Sequence, residues 1–453
     1  MVTTQYKICL VIMTQFTPYW WQDQPQYRNT EAPPAKVDYV VVGAGFTGLS
    51  AALTLAEAGC QVIVLDSEAI GFGASTRNGG MLGSGHKMSV ADAQKNYGPT
   101  IAAQLHCEAN ASLDFTKKLI LNQNIDCDLH TCGRLRTAWT PQDYTAMAAA
   151  NAGLQKIETF AARMVPPDEM AEHIDTKLYF GGLLYKDHAS VQPKKLHQGL
   201  LELALHAGVK VFGEQPVIAV KPQLNGFNIR TKGQNIHCQQ VLMATNGYTQ
   251  PSVSMFLAKR VMPVPSFIIV TEELGKNRVQ ALLPGGHCMV ETRQRFCYYR
   301  ATPCGKRIMF GSRAALHAIT PQQALNSLTT KLTEVFPSLQ NTKISHCWTG
   351  FTGFSFSKLP NIGCHNGIYH AMGYCGNGVA MAPYLGHKAA LKMLHPEQQF
   401  SVFEQTPLQR RIYHHGSTWY MPAASAWYRT RDWWDNRQRT KALSALNQKS
   451  DSL

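Results

Sequence analysis

The sequence has no Cys-x-x-Cys pair, although it has twelve cysteines, and the closest two are Cys127 and Cys132. Structural zinc sites usually bring cysteines in tighter pairs, so a zinc ribbon or zinc finger is not expected. No window approaches the ~18 apolar residues of a membrane-spanning helix. The apolar stretch near the N-terminus, Ile8 to Met13, is too short for a span and poor as a signal sequence. Met1 and Met13 both remain open as the start of translation. Charged residues are scarce at 16%, and no block of like charge occurs, although Lys and Arg outnumber Asp and Glu by 43 to 29. The net charge of +14 therefore reads as a scattered basic surface and carries no nucleic-acid signal. Internal repeats and low-complexity segments are missing too. Scattered cysteines without a secretory leader suggest reduced thiols and a cytoplasmic chain.

The chain has 453 residues, 45% of them hydrophobic, which suits a globular protein with a large core. At roughly 150 residues per domain, two or three domains are expected. Residues 1–35 are aromatic and Pro-rich and read as an irregular arm on the body. The stretch "DYVVVGAGFTGLSAALTLAEAGCQVIVLD", Asp38 to Asp66, reads as one strand–helix–strand unit. Val40–Val42 form the first strand, Leu49 to Ala58 the helix, Gly59 its cap, and Val62–Leu65 the second strand. Region 86–185 reads as mostly helical, and 195–208 as an amphipathic helix. Region 256–315 is rich in β-branched and aromatic residues and reads as a sheet. Residues 321–336 and Val379 to Leu394 read as helices, with Pro383 in the first turn of the latter.

"GAGFTG" matches G-x-G-x-x-G between a strand and a helix, with an acid ending the next strand. Gly43 permits the tight turn, Gly45 lets the backbone approach a pyrophosphate, and Gly48 lets helix and strand pack closely. Asp66 is placed to accept hydrogen bonds from ribose hydroxyls. This unit alone does not separate FAD from NAD. A second glycine loop, "GYCGNGVAMAPYLG" from Gly373 to Gly386, also opens a helix, which is the grammar of an anion site.

Between them lies "GFGASTRNGGM", Gly71 to Met81. This segment resembles a signature of the glycine/D-amino-acid oxidase superfamily of flavoproteins, and is most similar to the branch containing γ-glutamylputrescine oxidoreductase. "VQPKKLHQGLLELALHAGVKV", "VLMATNGYT", "WTGFTGFSFSKLPNIG" and the tail "WYMPAASAWYRTRDWW" resemble further family segments, so the likeness covers most of the chain. It implies a mixed α/β fold. A Rossmann-like FAD-binding domain would be assembled from residues 36–95, 186–255 and 341–398. A second, antiparallel-sheet substrate domain would come from 96–185, a helical segment, and from 256–340. Residues 399–453 would form a C-terminal extension.

The resemblance implies FAD held by Gly43, Gly45, Phe46, Thr47, Gly48, Asp66, Ser67, Ala74, Ser75, Thr76, Arg77, Asn78, Gly79, Gly80, Met81, Val217, Thr245, Gly350, Gly376, Asn377, Gly378 and Val379. In it Ser75 donates to phosphate and Arg77 carries a fixed charge. Asn78 to Gly80 let the backbone run along a flat ring. The N–H groups of Gly376, Asn377 and Gly378, with the helix beginning near Val379, would stabilise negative charge on the reduced ring, which makes that loop catalytic.

The implied reaction is hydride transfer to flavin from a C–H bond beside an amine nitrogen, giving an imine that water hydrolyses. The sequence singles out no base. Tyr298, Tyr299, Arg300 and Arg313 are candidates for the substrate lid. Strand alternation places Tyr298 and Arg300 on one face and Tyr299 on the other. An Arg in the pocket would suit a carboxylate-bearing substrate. Trp348 either packs by the ring or fills core. Met309 falls where the sarcosine-oxidase branch has an oxygen-activating lysine, so O2 and another electron acceptor both stay open. Neither Cys347 nor Cys375 matches that branch's flavin-bonded cysteine, which implies non-covalent FAD. His365, His370, His414 and His415 fit no metal-ligand spacing, so no metal is expected. The tail has Trp419, Trp427, Trp433 and Trp434 among arginines. A packed extension and weak contact with an anionic membrane are the alternatives there. A dehydrogenase feeding a membrane quinone and a non-catalytic flavin-binding protein are the rival readings of function.

Overall fold

The computed structural model describes residues 13–450 apart from 23, 25 and 159, and the backbone alone over 441–450. The apolar stretch Ile8 to Met13 lies outside these residues except for Met13. Two eight-stranded sheets carry the fold. In the first, the spine runs Asn361–His365, Ile368–Met372, Asn235–Met243, Lys36–Val42, Val62–Leu65 and Lys210–Phe212. Lys36–Val42 pairs in parallel with both Val62–Leu65 and Asn235–Met243. Parallel neighbours need a crossover, and the helix Phe46–Glu57 supplies it. Gly59, at φ +84°, ends that helix as expected.

The second sheet runs Ile344–Ser355, Val261–Thr271, Ile308–Ser312, Cys297–Ala301, Cys288–Glu291, Arg134–Thr137, Gly182–Tyr185 and Ala162–Val165. All but one of its neighbouring pairs are antiparallel. Three of these strands fall in 86–185, which the sequence suggested was mostly helical. Each is only four residues long, and two of the three show no alternation of burial, so the signal is weak. The helices of that region are Val90–Asn122 and Pro141–Gln155. The first breaks at Gly98, φ +82°, ahead of Pro99. Its apolar stripe packs on the helix Gly378–Leu394, where Thr116 donates to Ala380 O at 2.9 Å.

Other helices lie close to expectation: Pro193–His206, Pro321–Val335 and Gly378–Leu394. Pro383 sits beyond the first turn of the last, a turn deeper than expected. Helices Phe46–Glu57 and Gly378–Leu394 cross closely, because a Cβ on Gly386 would lie 2.3 Å from Thr47 O. The arm does more than lie on the body. Trp20 is 1% exposed and packs with Ile268, Val270, Met309 and Trp348. The C-terminal helix Met421–Ser450 docks on the second sheet's unit. Arg295 meets Asp432 at 2.8 Å, and Trp139 donates to Asn436 at 2.9 Å.

Candidate active site

A cavity of about 210 Å³ opens where Val42, Leu65 and Met243 end three neighbouring strands of the first sheet. Ligands of open α/β sheets bind at such carboxyl ends. Gly43 N–H donates to Leu65 O, and Ala44 N–H donates to Asp66 Oδ2 at 2.8 Å. Phe46 N–H donates to Ser75 Oγ at 2.9 Å, which leaves the Ser75 proton free to donate into the cavity. The N–H groups of Gly45 and Thr47 have no acceptor among the described residues. They stand at a helix N-terminus and fit an anionic group. A Cβ on Gly48 would lie 1.9 Å from Gly43 O, so helix and strand approach as closely as the motif implied. Asp66 also accepts from Glu68 N–H at 3.1 Å, and burial pushes its carboxyl pKa up.

Three indoles hold the next loop. Trp21 Nε1 donates to Thr76 Oγ1 at 2.9 Å, Trp348 Nε1 to Arg77 O at 2.9 Å, and Trp20 Nε1 to Asn78 O at 2.7 Å. The Arg77 guanidinium lies over the rings of Trp21 and Phe72, at 4.6 and 4.2 Å. It donates to Phe72 O at 2.6 Å and Thr349 O at 3.1 Å. Arg77 thus ties the loop to strand Ile344–Ser355. Asn78 caps its own loop, accepting from Gly80 N–H at 2.7 Å.

Tyr298 and Arg300 do share a face, against Gly79 and Gly80, as alternation required. Arg300 does not enter a substrate cavity, however. It is buried, and donates to Gly79 O at 3.0 Å and Val191 O at 2.7 Å. The long side chain reaches past the sheet to loop carbonyls. Tyr299 faces the other way, with its hydroxyl 2.7 Å from that of Tyr179.

The second glycine loop lies beside the first. Tyr374 OH and Thr47 Oγ1 are 2.6 Å apart. Asn377 N–H donates to Tyr374 O at 3.1 Å, so it is engaged within the turn and not available as expected. The N–H groups of Gly376, Gly378 and Val379 have no acceptor among the described residues. The Asn377 side chain donates to Gly85 O at 2.6 Å. Gly376 has φ +101°, and the place of a Cβ there is open.

A second cavity, about 150 Å³, adjoins the first between Gly79, Met81, Gly376, Asn377 and the second sheet. Ala74, Asn78, Phe351, Thr352, Gly376 and Val379 line both. Tyr298 borders it, its hydroxyl 2.9 Å from Ser266 Oγ, and burial raises its pKa to about 12. Arg77, Lys87, Arg134 and Arg313 line it, and among the described residues no Asp, Glu or His does. Met309 is buried under Gly79, and Trp348 is core.

Of the residues expected to touch cofactor or substrate, most line one cavity or both. Ser67, Val217 and Thr245 line the first, and Arg77, Gly79, Met81, Gly350 and Asn377 the second. Gly48, Thr76, Gly80 and Arg300 line neither. They hold the walls from behind. Phe72, Asn246, Tyr248, Phe351, Tyr374, Lys87, Arg134 and Phe296 were missed. Tyr374 lay inside a quoted glycine loop. Lys87, Arg134 and Phe296 belong to no motif. Among the described residues no cluster of His, Cys, Asp and Glu suits a metal, and no helix is long and apolar enough to cross a membrane.

The model of the DAO family, FAD dependent oxidoreductases, matches residues 38–391. The chain is 29% identical over 371 residues to gamma-glutamylputrescine oxidoreductase of Escherichia coli (strain K12), covering 82% of this chain and 86% of that one. It is 24% identical to glycine oxidase of Bacillus licheniformis, covering 78% and 92%. Among solved structures, glycine oxidase from Geobacillus kaustophilus superposes with a TM-score of 0.69 at 18% identity, covering 84% of this chain and 100% of that chain. L-proline dehydrogenase from P. horikoshii gives 0.67 at 18%, covering 83% and 100%. These two establish likeness of fold.

Proposed function

The chain belongs to the DAO family of FAD dependent oxidoreductases, and we propose that it oxidises the C–N bond of a carboxylate-bearing amine, with γ-glutamylputrescine as the leading candidate. It is an FAD-dependent oxidoreductase of amines or amino acids. The observation that carries the proposal is the shared wall of the two cavities. An elongated cofactor seated in the first would present its reactive end to the second, where a substrate fits.

The donors present suit FAD. In this reading the free N–H groups of Gly45 and Thr47 and the Ser75 hydroxyl receive the pyrophosphate, and Asp66 the ribose hydroxyls. The free N–H groups of Gly376, Gly378 and Val379, at the positive end of their helix, face the ring's electron-rich edge. FAD, when bound, supplies the hydride acceptor. The chain orients the substrate through Tyr298 and keeps water out with Phe296, Phe351 and Phe354. Among the described residues no cysteine lines either cavity, which supports flavin held without a covalent bond. Acid precipitation should then leave the colour in the supernatant.

Product analysis tests this reading. Holoenzyme with an artificial acceptor would be offered γ-glutamylputrescine, sarcosine, proline and D-amino acids. One acceptor reduced per aldehyde or keto acid formed supports it. No product from any amine overturns it.

Exposed aromatics on the last helix favour a second reading, in which electrons pass to a quinone at a membrane. Trp427 and Trp434 are 62% and 56% exposed and lie seven residues apart on the side away from Asp432. Sedimentation with anionic vesicles decides it, because absence of salt-sensitive binding would remove this reading.

A further inference from the structure

The second cavity holds an unbalanced charge. Lys87 comes from the loop after Met81–Leu82, Arg134 opens strand Arg134–Thr137, and Arg313 follows strand Ile308–Ser312. Arg293 and Arg295 are matched by carboxylates, Glu291 at 2.7 Å and Asp432 at 2.8 Å, and the buried Arg300 is satisfied by two carbonyl oxygens. Lys87 and Arg313 have neither kind of partner among the described residues. Among the described residues, Lys87 and Arg313 make no hydrogen bond and no ion pair. Each rests only on aromatic faces. Lys87 Nζ lies 5.1 Å from the Phe296 ring, and the Arg313 guanidinium lies 5.0 Å from the same ring and 4.7 Å from Phe354. Arg134 gives a single hydrogen bond, to Ser84 O at 3.3 Å, and keeps the rest of its donor fork. Lys87 is exposed where it lines the cavity, and Arg134 and Arg313 are half-buried. Holding cations together without a counter-ion is unfavourable. The arrangement is stable and useful together if the counter-ion arrives with a ligand.

We propose that Lys87, Arg134 and Arg313 form an anion subsite of the substrate cavity, and that it holds a carboxylate at the end of the substrate remote from the reacting amine. The proposal rests on the amine-oxidising reading above and names the chemistry of the other end. An arginine fork matches a carboxylate through two parallel hydrogen bonds, and the ammonium adds a point charge.

The test compares two amines that differ in the remote end. With holoenzyme, γ-glutamylputrescine should be used at least about tenfold better in kcat/KM than putrescine, which lacks the carboxylate. Arg313→Gln and Lys87→Gln should each lower the preference for γ-glutamylputrescine over putrescine, read as the ratio of their kcat/KM values, about tenfold. Arg313→Lys, which keeps the charge, should recover part of the loss. Glutarate should compete with substrate and perturb the flavin spectrum, and glutaramide, its uncharged counterpart, should not. The visible spectrum of each variant shows that it folds and holds flavin. Equal loss on both amines with a shifted flavin potential would assign the cations to the flavin and overturn the proposal. So would glutarate that does not bind. If no amine is oxidised at all, the amine reading fails, and glutarate binding still judges the subsite on its own.

Discussion

The indole N–H of Trp20 donates to the carbonyl oxygen of Asn78 at 2.7 Å. A residue of the N-terminal arm thereby fixes the loop that borders both cavities. Trp21 donates to the Thr76 hydroxyl and Trp348 to the Arg77 carbonyl oxygen, so the two preceding residues are held as well. The loop cannot be rigid in this way unless the arm is seated.

Substitution of Trp20 by Ala should therefore separate the arm from the site. Loss of a buried tryptophan costs about 3–5 kcal/mol. Trp20→Phe keeps most of the packing and loses mainly the hydrogen bond, about 0.5–1.5 kcal/mol. Thermal unfolding and the flavin-to-protein absorbance ratio check both. Flavin content should fall steeply for Ala and slightly for Phe. Full flavin content in Trp20→Ala would refute the role of the arm.

Gly48→Ala should be destabilising although alanine is the better helix former by about 1 kcal/mol. Its Cβ would stand 1.9 Å from Gly43 O, against backbone that has nowhere to move. Overpacking of this kind costs about 1–3 kcal/mol or more, and here it also opens the turn under the cofactor. A lowered melting temperature with weakened FAD uptake is the expected result.

Much of this was legible in the sequence, and the limits have physical causes. The strand–helix–strand unit from Lys36 to Leu65 showed itself because both its periods and its glycines are local. Both glycine loops showed themselves for the same reason. Strands Arg134–Thr137, Ala162–Val165 and Gly182–Tyr185 are stabilised by partners far away in the chain, and the last two show no alternation of burial. The face of Arg300 followed from alternation, but its reach to Val191 O did not, because side-chain length and a distant loop decide it. Lys87, Arg134 and Arg313 meet only through the tertiary fold.

Lys87 should make stability depend on pH. Burial, then Arg313, Arg136 and Arg134, lower its pKa to about 7, with Cys375 opposing. The unfolded chain keeps an ordinary lysine, so between about pH 7 and ~10 it binds the extra proton. Stability then rises with pH across that window, by less than the shift alone implies because Lys87 is exposed to solvent and its charge is screened. Lys87→Met should raise the melting temperature at pH 6 and raise it less at pH 9. A pH-independent difference would contradict the assignment.

Cys132 and Cys288 have their sulfur atoms 3.7 Å apart. The nearby Cys288 thiol, with Ser190 and Arg300, lowers the Cys132 pKa against the effect of burial, while Cys288 is pushed up. Thiolate is the reactive form, so Cys132 should keep more of its alkylation rate than an ordinary cysteine as pH falls from 8 to 6. Cys288→Ala should restore an ordinary pH dependence by removing the donor. Peptide mapping after brief iodoacetamide treatment reads both.

The most direct measurement is the visible spectrum of the purified protein during anaerobic addition of γ-glutamylputrescine. The account predicts a yellow protein whose flavin bands bleach as the amine is consumed. A protein that stays colourless and takes up no added FAD would contradict the reading of both glycine loops.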